Sequence, residues 1–374
     1  MVVCFTLTNL PNPRMNKRIA FFKEFAEVHV VCTRRSRQNL WEPTQDVDHR
    51  IYNIDLPDSK HLIKRMMCFR NFQKRVLQEI DDIKPDVIYA AGLDMLMIAA
   101  KYKAKYSVKI VFEVADLREC FFAKKRISDI PMSWLIQKKE RELFRYVDCL
   151  VVTSPKFYDI HYKALIPRDK VVFIANAPNL ESFKSYKKKE DGIFTIGFIG
   201  GIRYFKQLKL LVDSAEALKI KVFFAGGAGM LSPEYDDFMS YCKGKDFIEF
   251  FGRYDYDKDI ADLYGKVDCV YAVYDADNLN VRIALPNKLY ESVYCELPLI
   301  VAQNTYLEEL VTQWGVGVSV DHKEKTSLIE SLSRLVSKGE EYQNIVNNCK
   351  KMKECILSEG EKDKAILDII EKKQ

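Results

Sequence analysis

A lysine and a glutamate stand three residues apart in the stretch Asn280–Leu299, which reads NVRIALPNKLYESVYCELPL. A Pro-Asn-Lys turn opens an amphipathic segment that carries Lys288 and Glu291, and Glu-Leu-Pro leads from it into an apolar run, 299–302. This order predicts a loop, a helix with both residues on its first turns, a break and a buried strand. Amides at the helix start and the lysine could meet anionic oxygens, while the carboxylate could accept hydrogen bonds from a sugar diol. The pattern favours a phosphorylated, hydroxyl-rich ligand, with solvated helix residues as the alternative.

A glycine-rich loop comes just before two basic residues in the same half of the chain. Gly200 and Gly201 follow an apolar run, and Arg203 and Lys206 flank the start of a helical pattern. Glycines let the backbone approach a phosphate, and the two cations could neutralise it. A turn that serves packing or helix capping is the alternative interpretation.

Three more turns follow apolar runs. The first is Gly226–Gly229, and the second is Gly252–Tyr254, where main-chain groups could meet a nucleobase and the tyrosine could stack on it. The third is Asn304-Thr305, behind the Pro-Asn-Lys segment. Each could be an ordinary strand-to-helix turn, but their joint occurrence favours a binding function.

Length and composition describe a globular chain. Its 374 residues predict two domains, and 48% hydrophobic with 30% charged residues exclude a disordered protein. The net charge of +5 arises from 58 basic and 53 acidic residues, an excess too small to indicate nucleic-acid binding. The start of the chain reads as a strand rather than a signal peptide, and no window of about 18 apolar residues occurs. We therefore expect a cytoplasmic protein.

Cysteines and histidines give no sign of a metal site. The ten cysteines stand singly without a Cys-x-x-Cys pair, as expected of buried thiols in a reducing compartment, and the five histidines are dispersed. Two Asp-x-Asp strings occur, Asp46-Val47-Asp48 and Asp275-Ala276-Asp277. We read neither as a metal motif, because two carboxylates one residue apart are common by chance.

Short apolar runs alternate with helical patterns along the whole chain. In the first half the predicted strands are 2–8, 27–32, 86–90, 109–113, 148–153 and 171–175. The predicted helices are 15–26, 62–82, 93–105 and 131–146. Val/Ile/Leu-rich strands separated by helices are typical of parallel βαβ units with helices on both faces of a sheet.

The alternation restarts after a polar segment, 179–192, which we interpret as a linker. Here the predicted strands are 193–199, 220–225, 247–251, 268–273, 298–302 and 317–320. The predicted helices are 205–218, 257–265, 287–295, 305–313, 324–338 and 340–357. We predict an α/β protein of two doubly wound, Rossmann-like domains facing across a cleft, 1–180 and 181–356, with 357–374 as a C-terminal helix that could return to the first domain.

The second half resembles the nucleotide-sugar-binding domain of family 4 retaining glycosyltransferases, which adopt the GT-B fold. That family shows a glycine-rich strand end followed by an arginine and a lysine, a "GxG", an "fxG" loop, and a helix whose glutamate grips the nucleotide ribose before "G-x-P-[VIL]-[IV]". The matching features are Gly200 to Lys206, Gly227 to Gly229, Gly252, and Pro286 to Ile300. By this resemblance the candidate donor-binding residues are Gly200, Gly201, Gly227, Gly252, Arg253, Tyr254, Arg282, Asn287, Lys288, Glu291, Asn304 and Thr305.

The first half is similar more loosely. NPRMNKRIAFF resembles the family's first loop and helix, KPDVIYAAGLD its "pDvihah" strand end, and VKIVFEVADL its "kivydxHdl". The resemblance implies that this domain binds the acceptor, with Asn9, Arg14 and Asp94 as candidate contacts.

The chain departs from the family pattern at the sugar end of the donor site. The family's usual pair is Glu, seven residues, Glu, in which the first contacts the donor sugar and the second the ribose. Glu291 matches the second glutamate, but the first position falls on Ile283. Arg282 or Asn287 could substitute for the missing carboxylate.

Two further departures concern charged groups. The histidine of the "Hdl" element is Ala115 here, with Glu113 and Asp116 nearby. Arg203 lies two residues beyond the usual arginine site, whereas Lys206 keeps its place. Since the replacements stay polar and clustered, we favour a variant subgroup over decay of function.

The resemblance implies transfer of a sugar with retention, from a nucleoside-diphosphate-sugar with UDP as the default base, to a glycan or polyprenyl-diphosphate-linked glycan in bacterial capsule, exopolysaccharide or O-antigen synthesis. Arg203, Lys206 and amides near Thr305 would stabilise the departing diphosphate. Glu113 and Asp116 complete the candidate catalytic residues. A GT-B site neutralises its diphosphate with cationic side chains and helix amides, so no metal or other cofactor is implied.

Basic residues interleaved with apolar ones form two clusters in the first half. Their members are His61, Lys64, Arg65, Arg70, Lys74 and Arg75, and then Lys124, Lys125, Arg126, Lys138, Lys139 and Arg141. Such clusters suit peripheral contact with an anionic bilayer at the inner face of the plasma membrane, or simply a helix with one solvated face.

Two other functions stay open. A non-hydrolysing nucleotide-sugar epimerase shares this architecture, although the loops here are poor in histidine. The second is a catalytically silent GT-B protein that binds a nucleotide sugar or partners an active transferase. Nucleic-acid binding is disfavoured because the aromatic residues fall mostly within apolar runs.

Overall fold

The computed structural model describes most of the chain in eight segments. These are residues 1–34, 45–53, 62–117, 130–178, 180–188, 192–228, 233–357 and 362–372. The chain forms two compact units, one of residues 1–175 together with 360–374 and the other of residues 176–359.

The first unit is built on a parallel sheet of seven strands in the order β3-β2-β1-β4-β5-β6-β7. The strands are β1 Val2–Leu7, β2 Glu27–Arg34, β3 Asp48–Asn53, β4 Val87–Ala91, β5 Lys109–Val114, β6 Cys149–Val152 and β7 Val171–Phe173. The central strands are buried on both faces, which explains why their apolar runs are continuous rather than alternating.

Helices connect these strands. They are α1 Pro13–Lys23, α2 Leu62–Ile83, α3 Leu93–Lys103, α4 Ile130–Phe144 and α5 Pro155–Phe157, and a π-helical turn, Tyr158–Tyr162, follows the last. The sequence explains the start of α1, because Asn12 accepts a hydrogen bond from the Met15 amide (3.0 Å) and Pro13 fills the first helical position. Met15, Ile19 and Phe22 then recur on one face and are buried in the core.

The second unit contains a parallel sheet of six strands in the order β10-β9-β8-β11-β12-β13. The strands are β8 Thr195–Ile199, β9 Lys221–Ala225, β10 Ile248–Gly252, β11 Cys269–Ala272, β12 Leu299–Ala302 and β13 Gly317–Val320. The chain winds outward from β8 to β10 on one side and from β11 to β13 on the other. The order therefore reverses between β8 and β11, the position at which open α/β sheets bind ligands beyond the carboxyl ends of their strands.

Eight helices of this unit alternate with the strands. They are α6 Phe205–Leu218, α7 Pro233–Cys242, α8 Tyr256–Gly265, α9 Leu279–Ile283, α10 Asn287–Tyr294, α11 Tyr306–Trp314, α12 Lys325–Val336 and α13 Glu340–Leu357. Of these, α10 packs beside β11 and α13, and it carries the Lys288 and Glu291 pair on a largely buried first turn.

The last helix, α14 Lys364–Glu371, belongs to the first unit. Ile366 and Ile370 lie in the same apolar cluster as β1, β2 and α1. Just before the helix, Asp363 forms an ion pair with the buried Arg18 on α1 (2.8 Å). Apolar burial and one charge pair thus attach the C-terminal helix to the sheet that begins the chain.

The interpretation of 179–192 as a linker is wrong for the described part of it. Residues 180–183 form a 3-10 helix, and the Phe183 ring is buried against Tyr264 and Tyr294. The Tyr186 hydroxyl donates to the Cys295 carbonyl (2.8 Å). Two aromatic anchors in a lysine-rich run fasten this segment to the second unit, and the polar composition concealed them.

Besides α5 and the short helical turns, three elements were missing from the prediction. β3 is an edge strand with the polar sequence DHRIYN, held to α2 because Arg50 and Tyr52 both contact Glu79. The other two are α7, whose surface-exposed first turn gives little apolar periodicity, and the five-residue α9.

Candidate active site

Backbone hydrogen bonds join the glycine loops that end the first three strands of the second sheet. The Gly200 amide donates to the Ala225 carbonyl (2.8 Å), and the Gly226 amide donates to the Gly252 carbonyl (2.7 Å). The Ile202 amide donates to Gly227 (2.9 Å). Loops that are 25 to 50 residues apart in sequence therefore form one continuous surface at the carboxyl edge, as the sequence pattern predicted; Gly229 lies outside the described residues.

Two of these glycines are required by close approach. Gly226 has φ +138°, and a Cβ on it would lie 1.9 Å from the Gly200 carbonyl oxygen. Gly200 has φ +143°, and a Cβ on it would lie 2.7 Å from the Nζ atom of Lys288. The missing side chains let the two loops touch and leave room for the Lys288 ammonium against the β8 loop.

Lys288 is a buried cation. Its residue surface is only 9% exposed, and its ammonium lies 5.1 Å from the ring centre of Phe198 and 6.0 Å from that of Tyr274. Among the described residues, no carboxylate lies within ion-pair distance of it. Lys288, which the sequence predicted at the start of a helix, thus lies against the glycine loop after β8, almost 90 residues earlier in the chain.

Glu291, one turn further along α10, is a carboxylate fixed on both oxygens. It is 4% exposed; Oε1 accepts a hydrogen bond from the Tyr256 hydroxyl (2.6 Å) and Oε2 accepts one from the Tyr264 hydroxyl. Burial, and next the negative charge of Glu291, raises the pKa of both tyrosines far above the ordinary value. Both phenols therefore stay protonated and donate to the carboxylate.

No sequence pattern marks Tyr256 and Tyr264 as site residues. They stand eight residues apart at positions of α8 that read as the apolar face of an ordinary amphipathic helix. Tyr254, which the sequence did single out, lies in the same neighbourhood, and its pKa is raised by burial and then by Glu291 and Tyr274. The tyrosines at positions 254, 256 and 264 were the available signal in the sequence. A buried tyrosine hydroxyl needs a hydrogen-bond partner, so tyrosines in place of phenylalanines indicate a polar group nearby.

Arg203 and Lys206 are more exposed than their predicted role suggests. The Arg203 guanidinium lies over the Tyr204 ring at 5.3 Å, and Lys206 stands on the first turn of α6 in solvent. Tyr204 has φ +62° and packs 5.4 Å from the Tyr274 ring that faces Lys288. Both cations therefore border the glycine loop without being enclosed by it.

The Asn304-Thr305 turn is occupied by helix capping. The Thr305 hydroxyl accepts from the Glu308 amide (3.1 Å) and donates to the Ala302 carbonyl (2.8 Å), while the Asn304 amide donates to the Glu308 carboxylate (2.6 Å). The expectation that amides near Thr305 receive a diphosphate needs correction for these two amides, which are already bonded. The Glu308 carboxylate also places a negative charge there, which disfavours a second anion.

The remaining donor candidates lie around this edge. The Arg253 side chain packs against Gly227, where a Cβ would lie 2.7 Å from its Cγ. Arg282 is exposed on α9, while its neighbour Ile283 is buried in the core. Asn287 begins α10, and its Oδ1 atom is buried without a hydrogen-bond donor among the residues described. Gly201 is exposed with open space where a side chain would stand.

A pocket of about 380 Å³ lies in the first unit, at the carboxyl ends of β1, β4 and β5. Asn9, Arg14, Glu113 and Asp116, all predicted, line it. Asp94, the third predicted acceptor contact, stands on the first turn of α3 and is not among the lining residues. Four of the five first-domain candidates that the resemblance implies therefore line one cavity.

Glu113 is enclosed at the base of this pocket. Its side chain is inaccessible to solvent, and its carboxylate contacts the Arg14 Nε (2.7 Å), the Arg18 Nε (3.5 Å) and the Tyr89 hydroxyl. A carboxylate committed to two arginines and a phenol is suited to hold Arg14 in place. Asp116 is the exposed carboxylate of the pair.

Glu140 and His161 form a second polar pair at the pocket that the sequence did not reveal. Glu140 lines the pocket and accepts from His161 Nε2 (2.8 Å) and the Tyr162 hydroxyl (3.4 Å). The histidine comes from the π-helical turn after α5. Nothing in the spacing of these residues marks them as partners.

One Asp-x-Asp string gains a histidine neighbour in the fold. The candidate ligand atoms of Asp275, Asp277 and His322 all lie within 4.8 Å of one another. Lys323 contacts Asp277 (2.8 Å) and already supplies a positive charge to this group. The arrangement is an ion-pair cluster in which Asp277 is exposed and His322 is buried.

Apolar and basic side chains are exposed together on α4. Trp134 and Leu135 are more than half exposed, and the Lys138 ammonium lies 5.3 Å from the Trp134 ring centre. Of the predicted basic clusters, His61 and Lys124–Arg126 lie outside the described residues. No described helix combines the length and the apolarity needed to cross a bilayer.

Two family models match consecutive parts of the chain. The model described as Glycosyl transferase 4-like domain matches residues 23–177, and the model described as Glycosyl transferases group 1 matches residues 179–352. The chain belongs to the family 4-like glycosyltransferases. The recognition made from the glycine loops and the Pro-Asn-Lys helix is thereby confirmed.

Individual relatives of this glycosyltransferase are distant. Succinoglycan biosynthesis protein ExoL of Rhizobium meliloti (strain 1021) is 25% identical over 264 residues, which cover 67% of this chain and 64% of the relative. The chain thus matches less than two thirds of that protein's length. The match agrees with the family assignment and leaves the substrate to be argued from the site.

Solved structures confirm the predicted GT-B fold. Sucrose-phosphate synthase from Thermosynechococcus elongatus superposes with a TM-score of 0.73 at 11% identity, covering 99% of this chain and 97% of that chain. HepE from Anabaena, in complex with UDP, superposes with a TM-score of 0.69 at 14% identity, covering 99% of each chain. At these identities the likeness shows the fold alone.

Proposed function

We propose that this glycosyltransferase transfers a sugar with retention from a nucleoside-diphosphate-sugar, with uracil as the base, to a hydroxyl of a glycan or lipid-linked glycan. The observation that carries the proposal is the meeting of Gly200, Gly226, Lys288 and Glu291 at the edge where the sheet order reverses. An ammonium at a strand end beside glycine loops suits a diphosphate, and a fixed carboxylate suits a ribose diol. The UDP complex of HepE supports uracil as the base.

The main requirement of the transfer reaction is stabilisation of the negative charge on the leaving diphosphate. Breaking the bond between the anomeric carbon and the diphosphate oxygen leaves charge on that oxygen, and nearby cations lower the barrier by meeting it. Arg203 and Lys206 border the loop and can contribute. The departing oxygen can take the proton of the acceptor hydroxyl, so no strongly basic side chain is needed. The enclosed Glu113 is compatible with such a mechanism.

The pocket of the first unit is the candidate acceptor site. Its polar lining, which includes Asn9, Arg14 and Asp116, suits a hydroxyl-rich glycan. The name of the succinoglycan relative supports an acceptor in exopolysaccharide synthesis. If the acceptor is lipid-linked, the exposed Trp134 and Leu135 would suit contact with the bilayer surface. We expect the reaction to be independent of metal ions.

The test is a thermal-shift screen of the full chain against UDP, GDP, CMP and their common sugar conjugates. A ligand at about 100 times its dissociation constant adds roughly 2.7 kcal/mol to the free energy of unfolding, enough for a clear shift. We expect stabilisation by uridine nucleotides that is weakened in Glu291→Ala. The stabilising nucleotide sugar is then incubated with glycan acceptors, and NMR of the product shows whether the anomeric configuration is retained.

Each alternative has its own outcome in this experiment. A nucleotide sugar that changes configuration in the absence of acceptor indicates an epimerase. Binding without hydrolysis or transfer indicates a catalytically silent partner. Lack of stabilisation by every nucleotide contradicts the proposed donor site.

A further inference from the structure

We propose that Lys288, rather than the exposed Arg203 or Lys206, supplies the main counter-charge for the diphosphate of the donor. This inference rests on the proposed function and deepens it, because it names the residue that meets the leaving group. The family pattern assigns that work to basic residues after the glycine loop, whereas Lys288 lies on the helix that carries the ribose carboxylate.

The first observation is a largely buried lysine whose charge has no partner among the described residues. An ammonium removed from water is costly unless a carboxylate or hydrogen-bond acceptor compensates it. Lys288 is 9% exposed, and among the residues that the structure describes it has neither an ion pair nor a hydrogen bond from Nζ. The faces of Phe198 and Tyr274 compensate only in part, since a cation–π contact contributes about 0.5–2 kcal/mol. A ligand anion would complete the compensation.

The second observation is where the ammonium lies. It fills the space that a side chain on Gly200 would take, 2.7 Å from that Cβ position. Gly200 directly follows β8, one of the two strands between which the sheet order reverses. The cation is therefore held at the strand end where this class of sheet binds ligands.

The third observation concerns the start of α10. No side chain caps this helix, which begins after Pro286, and the Asn287 Oδ1 atom is buried and lacks a donor within the described part of the chain. Uncapped amides favour an anion, and the unpaired amide oxygen favours a hydroxyl beside it. Glu291 follows Lys288 by three residues, about 4.5 Å along the helix axis. Contacts to a hydroxyl, an anion and a diol, from Asn287, Lys288 and Glu291 in this order, match the sugar, diphosphate and ribose of a nucleotide sugar.

The enclosed position makes Lys288 more effective than the two exposed cations. A charge shielded from solvent interacts more strongly with a nearby anion, whereas Arg203 and Lys206 are screened by water. During transfer the bond from the anomeric carbon to the diphosphate oxygen breaks, and its electron pair goes to that oxygen. The acceptor oxygen bonds to the anomeric carbon and its proton passes to the diphosphate. Lys288 takes part in no bond change and stabilises the charge on the leaving group.

The test compares two ligands that differ in the diphosphate alone. Calorimetry gives dissociation constants of UDP and uridine for the wild type and for Lys288→Met, which keeps an unbranched chain without the charge. We expect UDP to bind roughly 10- to 100-fold more weakly to Lys288→Met, the effect of losing a charged contact, and uridine to bind as to the wild type. Lys206→Met should weaken UDP less than Lys288→Met does.

Lys209→Met is the matched control, because Lys209 also lies over a tyrosine face, 5.1 Å from the Tyr241 ring centre, but on the body of α6. It should leave both constants unchanged. Equal losses for UDP and uridine in Lys288→Met, or an unchanged UDP affinity, overturn the inference while the donor site stands. A wild type that binds neither UDP nor UDP-sugars overturns the proposed function as well.

Discussion

Replacing Tyr264 by phenylalanine removes a single oxygen atom from beneath Glu291. Tyr264 is fully buried and its hydroxyl donates to one carboxylate oxygen, while the partly exposed Tyr256 donates to the other at 2.6 Å. Because burial and the adjacent carboxylate raise the pKa of both phenols, they remain donors across the whole pH range of ordinary assays. We infer that the two tyrosines are positioning residues that orient Glu291 towards the ribose.

The size of the effect follows from the burial of each phenol. A hydrogen bond to a charged group contributes about 1.5–3 kcal/mol, and water cannot reach the oxygen that Tyr264 leaves unpaired. We therefore expect Tyr264→Phe to lower the free energy of unfolding by about 2 kcal/mol. Tyr256→Phe should cost about 1 kcal/mol, since water can replace part of its hydrogen bond.

The functional measurement is how much more tightly the protein binds UDP than 2′-deoxy-UDP, which lacks one ribose hydroxyl. If Glu291 accepts hydrogen bonds from the sugar diol, the wild type should bind UDP about tenfold more tightly than 2′-deoxy-UDP. A carboxylate that has lost one of its two donors is less well oriented, so this ratio should fall towards one in both tyrosine variants. Calorimetric titration with the two nucleotides measures the ratio, and urea denaturation measures the stability.

Tyr271→Phe controls for a loss of stability alone. Tyr271 is fully buried and donates to the Gln207 carbonyl (2.9 Å), but it does not contact Glu291. It should destabilise the unit without changing the ribose ratio. The reasoning is refuted if Tyr264→Phe and Tyr256→Phe keep the wild-type ratio in protein that still binds UDP.

Three further predictions concern stability and cofactors. The Tyr52 hydroxyl and Arg50 hold the pKa of Glu79 below its ordinary value. Glu79 therefore stabilises the fold above its unfolded-state pKa of about 4.3 and loses this effect as the pH falls through the lower folded value. Urea denaturation should show Glu79→Gln about 1 kcal/mol less stable than wild type at pH 7, and this difference should shrink as the pH falls through the folded pKa. Ile366→Ala should cost about 2–4 kcal/mol in thermal unfolding because the side chain is fully buried, and a neutral result would show that α14 is not docked in solution. Transfer should persist in EDTA and in Asp277→Asn; loss in both would place a metal at Asp275, Asp277 and His322.

The sequence predicted the fold well where apolar runs are long and continuous. The central strands β1, β4 and β8 and the helices between them were evident, since burial on both faces leaves an uninterrupted Val/Ile/Leu signal. β3 was not predicted because an edge strand needs no continuous apolar run. Its Arg50 and Tyr52 side chains hold it to Glu79 on α2 instead. The packing of the segment after residue 179 was not predicted, because its two buried aromatic residues stand among lysines and the hydrophobicity averaged over the segment is low.

The site was predictable as a set of loops but not as a set of contacts. Strand-end glycines could be recognised because φ values such as +138° at Gly226 exclude most other residues, and parallel order brings strand ends together. The partners of Glu291 could not be recognised, because Tyr256 and Tyr264 read as core positions. Arg203 was favoured for its charge and sequence position, but its exposure depends on tertiary structure that no local pattern encodes.

At Ile283 this glycosyltransferase differs from the family pattern in having a buried apolar side chain. The family places its first glutamate at this position, yet here the side chain is 4% exposed in the core beneath α9. A carboxylate at this buried position would lose its hydration, so we infer that this chain makes no sugar contact at the family's first glutamate position. Polar groups that could read the donor sugar must then come from neighbouring positions. Asn287 offers an unpaired amide oxygen four residues later, on the same turn as Lys288, so sugar recognition and diphosphate neutralisation would both fall to the start of α10.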